Sequence, residues 1–138
     1  MSLESFVRNV VTAEPRTSLA NVARLMKQNN VGAIVITEQD RPVGMVTDRD
    51  LAMATCVCGV SPEEPVQSVM MCPVSTIRED EDILDATQQM MQLAVRRLPV
   101  VDPFGRLVGI VSLDDLLLLM SRELQNLGEG IRAKIAVE

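Results

Sequence analysis

Apolar residues recur along this chain in two alternating rhythms. Leu19, Val22, Ala23 and Met26 fall at i, i+3, i+4 and i+7, a one-sided stripe that predicts a helix. Ile83, Leu84, Ala86, Met90, Met91 and Ala94 form a broader stripe of the same kind. Each stripe is followed by two short β-branched runs. Ala33 to Ile36 and Val43 to Val46 read as a hairpin turning through Glu38 to Pro42. Leu98 to Val101 and Leu107 to Val111 read as another, turning through Pro103-Phe104-Gly105. A β-prone stretch precedes each stripe, at Asn9 to Thr12 and at Val74 to Ile77, and a short helix is expected from Asp48 and from Leu113. Thr17 or Ser18 is placed to cap the first helix, and Asp82 the second.

The two halves match each other at a constant offset of 65 positions, which pairs Glu14 with Glu79, Met26 with Met91, Gly44 with Gly109 and Asp50 with Asp115. The fold class that follows is α/β (α+β), with two tandem β-α-β-β-α repeats related by pseudo-two-fold symmetry. The expected units are a first repeat over residues 6–59, a linker over 60–67, a second repeat over 68–122, and a tail over 123–138 that is a short helix or disordered. Met53 and the run Leu116 to Met120 make the closing helices apolar nearly all round. The other repeat and a second copy of the chain, in a homodimer, are the expected covers.

Composition narrows the partners. The net charge of −6, without a basic run, argues against nucleic acid, and with two Phe, no Trp and no Tyr there is no stacking platform for single strands. The core must be aliphatic, with nine Met residues to fill gaps. No run approaches the roughly 20 apolar residues of a membrane span, and no signal peptide is visible, so a cytoplasmic setting is expected. Cys56, Cys58 and Cys72 read as small buried thiols. With His absent, they fall short of a four-ligand zinc site. No nucleophile–base pair or phosphate loop with Lys is present, so no catalytic residue, required cofactor or metal is expected. The acidic run Glu79 to Asp82 reads as a solvated face.

One pattern occurs twice in register: Gly44-Met45-Val46-Thr47-Asp48-Arg49-Asp50 and Gly109-Ile110-Val111-Ser112-Leu113-Asp114-Asp115. It lies where a strand hands over to a helix. The hydroxyl at the cap and the free N–H groups beside it can meet an anion such as phosphate. The Asp three residues on can accept from two neighbouring sugar hydroxyls. The glycine lets a backbone or a flat ring approach the strand. Plain capping explains either copy alone, because Ser or Thr followed by Asp in a first turn is also a capping arrangement.

These motifs, with Thr47-Asp48-Arg49-Asp50-Leu51 and Leu98-Pro99-Val100-Val101-Asp102 beside them, resemble cystathionine β-synthase (CBS) domains across about residues 6 to 122. The resemblance implies a paired (Bateman) module, not an enzyme, that dimerises and binds an adenosine-containing ligand between its repeats. AMP, ADP, ATP and S-adenosylmethionine are the implied regulatory ligands, and an unknown protein is the implied regulated partner. Asp50 and Asp115 would hold ribose, and Thr47 and Ser112 would meet phosphate. Thr12, Ile34, Ile77 and Pro99 would flank adenine. The copies differ, since Arg49 aligns with Asp114 and Ile34 with Pro99. The first copy therefore adds a cation to its cleft, and the Asp50 cleft is expected to take a charged nucleotide better. The second places two carboxylates together unless Arg96 or Arg97 reaches in. The alternative is a ligand-free dimerisation module with vestigial clefts.

Overall fold

Both rhythms become the elements they predict. The computed structural model describes residues 7–137; Phe6 and Glu138, at the outer ends of the expected units, lie outside the described residues. In chain order the elements are β1 (Thr12–Ala13), α1 (Leu19–Asn29), β2 (Ala33–Glu38), β3 (Arg41–Thr47), α2 (Asp48–Ala52), β4 (Ile77–Arg78), α3 (Ile83–Leu93), β5 (Arg97–Val101), β6 (Leu107–Ser112) and α4 (Leu113–Val137). A π-type turn at Met53–Val57 continues α2, and a 3₁₀ turn spans Val66–Ser68. The strands make two sheets, β1-β2-β3 and β4-β5-β6, each with a parallel pair followed by an antiparallel hairpin. The chain is thus an α+β protein of two β-α-β-β-α repeats.

Local chemistry sets the joints. Ser18, not Thr17, caps α1: its Oγ accepts from the Asn21 N–H at 3.1 Å. The first hairpin turns on two residues, Gln39 and Asp40, with φ of 51° and 63°. That is tighter than the loop the sequence implied, and Pro42 falls within β3 opposite Thr37. In the second hairpin the Asp102 carboxylate accepts from the N–H groups of Phe104 and Arg106, both at 2.9 Å.

Each repeat has its own aliphatic core. Leu19, Val22, Met26, Ile34, Ile36, Val46, Leu51 and Val66 are buried together in the first. Ile77, Ile83, Ala86, Met90, Leu98, Val100, Val111 and Leu116 are buried together in the second. The leading segments are exchanged between them. Val7, ahead of β1, packs on the second core, and Arg8 pairs with Ile110 of β6 through N–H···O bonds of 2.9 and 3.0 Å. Reciprocally, Val69 and Met70, ahead of β4, pack on the first core, and Met71 pairs with Met45 of β3 at 2.8 and 3.2 Å.

This exchange explains the glycine of the repeated motif. A Cβ on Gly109 would strike the Val7 side chain and lie 2.5 Å from the Arg8 carbonyl oxygen, while one on Gly44 would strike the Met70 side chain. The approaching group in this structure is therefore the other repeat's leading segment. One glycine per repeat lets the two halves clasp.

Three expectations change. Much of the segment expected as a linker is built into the fold. The carbonyls of Pro62 and Glu64 accept from the N–H groups of Ala20 and Leu19, satisfying two of the orphan donors of α1, and Val66 is fully buried. Burying that valine stabilises the first repeat by about 2 kcal/mol. The second closing helix is not short. α4 runs unbroken through the expected tail to Val137, because Leu117, Leu124, Leu127, Ile131 and Ile135 keep a helical period. The three cysteines, finally, are exposed: Cys56 and Cys58 lie at the end of the π-type turn, and Cys72 just past the bridge at Met71.

Candidate ligand site between the repeats

The second copy of the motif opens onto a cavity of about 220 Å³ between the repeats. Ser112, Asp115, Ile110 and Arg97 line it from one side. Val31, Gly32 and Ala33, with the leading segment Arg8 to Val11, line it from the other. Ser112 ends β6, and its Oγ accepts the Asp115 N–H at 3.1 Å, which caps the 25-residue α4. The positive end of that helix therefore points at the cavity.

Asp115 has a partner that the sequence reading missed. Arg8 donates through Nε at 2.6 Å to one carboxylate oxygen and through a terminal nitrogen at 3.3 Å to the other. This bond is the main reason the Asp115 carboxyl titrates below the ordinary aspartate value; its contact with Ser112 acts in the same direction, and partial burial opposes both. One signal was available. At the repeat offset Arg8 aligns with Pro73, so only one leading segment carries a cation. What the sequence does not show is that this cation crosses to the other repeat.

The acidic pair feared at this site is also neutralised. Arg96 donates to Asp114 at 2.9 Å on the surface. Arg97 lines the cavity and has no side-chain hydrogen bond or ion pair among the described residues.

The first copy of the motif is arranged differently. The Asp50 carboxylate accepts the Thr47 N–H at 2.9 Å, and Thr47 Oγ1 accepts the Asp50 N–H at 3.2 Å, a reciprocal capping box on a five-residue helix. Arg49 is exposed, and its backbone N–H donates to the Asp48 side chain at 2.8 Å. Thr47, Arg49 and Asp50 therefore sit together at the start of α2, with the carboxylate turned onto its own backbone.

The expected adenine-flanking residues scatter. Ile34 and Ile77 are buried in the two cores, and Pro99 is buried in β5 opposite Ile110, so none of the three lines the cavity. Thr12 is exposed and lines a separate recess of about 270 Å³ with Asn9, Val10, Thr37, Asp40, Leu107 and Val108. The apolar lining comes instead from Val10, Val11, Val31, Ala33 and Ile110. Among the described residues no cluster of three or more His, Cys, Asp or Glu could hold a metal, and no helix is long and apolar enough to cross a membrane.

Two repeats clasped by exchanged leading segments, with a polar-rimmed cleft at their junction, define a paired-repeat module. The family model for the CBS domain matches residues 4–55 and 66–122, and the chain belongs to that family. It is 37% identical over 112 residues to protein MK0525 of Methanopyrus kandleri, covering 80% of this chain and 57% of that protein. It is 42% identical over 113 residues to the CBS domain-containing protein YhcV of Bacillus subtilis, covering 82% of this chain and 80% of that one. Among solved structures it is similar to the CBS domain pair of MJ0100 in complex with 5′-methylthioadenosine and S-adenosyl-L-methionine, with a TM-score of 0.79 at 24% identity over 89% of this chain and 98% of that one. It is also similar to the CBS domain protein PAE2072 of Pyrobaculum aerophilum complexed with AMP, with a TM-score of 0.78 at 24% identity over 88% and 99%. At that identity the two structures speak for the fold.

Proposed function

We propose that the chain is a regulatory sensor that binds an adenosine-containing ligand between its repeats and conveys its presence to a partner protein. The observation that carries this reading is the cavity at the Asp115 end. It brings a carboxylate able to accept two vicinal hydroxyls, a cap hydroxyl at a helix start, and Arg97 to one apolar-walled space. The Asp115 cleft, not the Asp50 cleft, is the primary site on this reading, because Asp115 lines the cavity between the repeats and Asp50 does not. The adenosyl ligands of MJ0100 and PAE2072 support the ligand class.

The signal would leave through a homodimer. Leu117, Leu124, Leu127, Ile131 and Ile135 are exposed along α4, and an apolar groove lined by Ile83, Leu84, Leu119, Met120 and Leu124 opens beside them. A bare stripe of this length fits a second copy of the chain. The same stripe supports the second reading, in which the module dimerises and its clefts stay empty.

Thermal melting with AMP, ADP, ATP, NAD and S-adenosylmethionine separates the two. A ligand at 100 times its Kd adds about 2.7 kcal/mol to stability. At least one adenosyl ligand is expected to raise Tm, and Asp115→Ala is expected to abolish the rise. A flat response to every ligand speaks for the ligand-free module.

A further inference from the structure

The Asp115 cleft is occupied by the protein's own cation. Arg8 covers both oxygens of the carboxylate that, on the function proposed above, must receive a ribose diol. Its backbone is held on β6 by two hydrogen bonds to Ile110, so the side chain is tethered at the rim of the cavity even when it lets go. The cavity of about 220 Å³ is smaller than the roughly 300 Å³ at which ligand pockets begin, and Arg8 is one of the residues narrowing it. The residue that takes the same place on the other repeat, Met71 paired with Met45, offers no cation.

We propose that Arg8 sets the ligand specificity of this cleft: it is displaced from Asp115 by the ligand's diol and re-pairs with an anionic group on the same ligand. The inference rests on the adenosine reading of the site. A carboxylate has two acceptor oxygens, and a guanidinium fork and a vicinal diol compete for the same pair. The Arg8 side chain is 72% exposed and that of Asp115 26%, so the ion pair is weak enough to open. A neutral nucleoside breaks the pair and leaves the guanidinium with water alone. A nucleotide breaks it and gives the guanidinium a phosphate, with Arg97 on the same rim. The cleft therefore favours adenosyl ligands carrying an anion over those without one.

Calorimetric titration of the full chain with adenosine and with AMP tests this. Wild type is expected to bind AMP more tightly. In Arg8→Gln adenosine is expected to tighten by roughly two- to fivefold, because the competing pair is gone. AMP is expected to weaken by about tenfold through loss of a charge-assisted bond. Arg8→Lys, which keeps the charge, is expected to retain most of the AMP preference. Binding of both ligands with an unchanged preference in Arg8→Gln overturns the role of Arg8 while leaving the adenosine reading intact. Binding of neither ligand by wild type overturns both. A third readout needs no ligand: carboxyl ¹³C NMR is expected to show the Asp115 titration midpoint rising in Arg8→Gln, and an unmoved midpoint overturns the pairing itself.

Discussion

Replacing Gly109 with Ala tests the clasp between the repeats. The added Cβ would lie 2.5 Å from the Arg8 carbonyl oxygen and would strike the Val7 side chain. A backbone oxygen cannot turn aside, so the leading segment must lift from β6. Lifting it forfeits two backbone hydrogen bonds to Ile110, at about 1 kcal/mol each. It also exposes part of Val7, for about 1 kcal/mol more. The reduced freedom of alanine in the unfolded chain returns about 0.4–1 kcal/mol. The net loss is about 2 kcal/mol, or roughly 6–10 °C in Tm for a domain of this size. Gly44→Ala is the internal control. The three atoms nearest its Cβ all belong to the Met70 side chain, whose flexible thioether can swing away, so the expected cost is below about 1 kcal/mol. Urea denaturation of both variants, with amide hydrogen exchange at Arg8 and Ile110, gives the comparison. Equal destabilisation of the two variants, or an Arg8 amide as protected in Gly109→Ala as in wild type, refutes the reasoning.

Two further outcomes are expected. The Asp115 carboxyl, held below its ordinary value by Arg8, contributes stability that is fully present above its unfolded pKa near 3.9 and fades as pH falls through the lower folded value. Chemical denaturation should therefore show wild type more stable than Asp115→Asn at pH 6 and the gap closing below about pH 4; a gap independent of pH contradicts the pairing. At the other end of the molecule, Leu124→Glu with Ile131→Glu places charge on the exposed α4 stripe. Sedimentation equilibrium should then find wild type at twice 15.1 kDa and the double variant at 15.1 kDa. A wild-type monomer, or a variant that stays dimeric, removes α4 as the interface.

Features that are periodic or short in range were legible in the residues alone. The stripes of α1 and α3, the two hairpins, their order, and the position of Ser112 and Asp115 at a strand-to-helix junction are written within spans of a few residues and repeated at one offset. Duplication doubled each weak signal, which is why the architecture was legible while the turn at Gln39-Asp40 and the length of α4 were not. With Gly128 and Gly130 in a polar tail, the sequence pointed to a short helix or a frayed end. Yet the apolar period on either side of them continues, and the helix with it.

The position of each leading segment emerges only from long-range packing. Arg8 meets Asp115 across a separation of 107 residues, and no local pattern marks a partner that distant. The exchange follows from packing, because each sheet leaves its outer hairpin strand unpaired on one side and the other repeat supplies what covers it. From that single arrangement come the need for Gly44 and Gly109 and the cation at the Asp115 cleft. The same geometry separates two motifs that look alike in sequence. Asp50 bonds its own helix start, and Asp115 faces a cavity across from the other repeat.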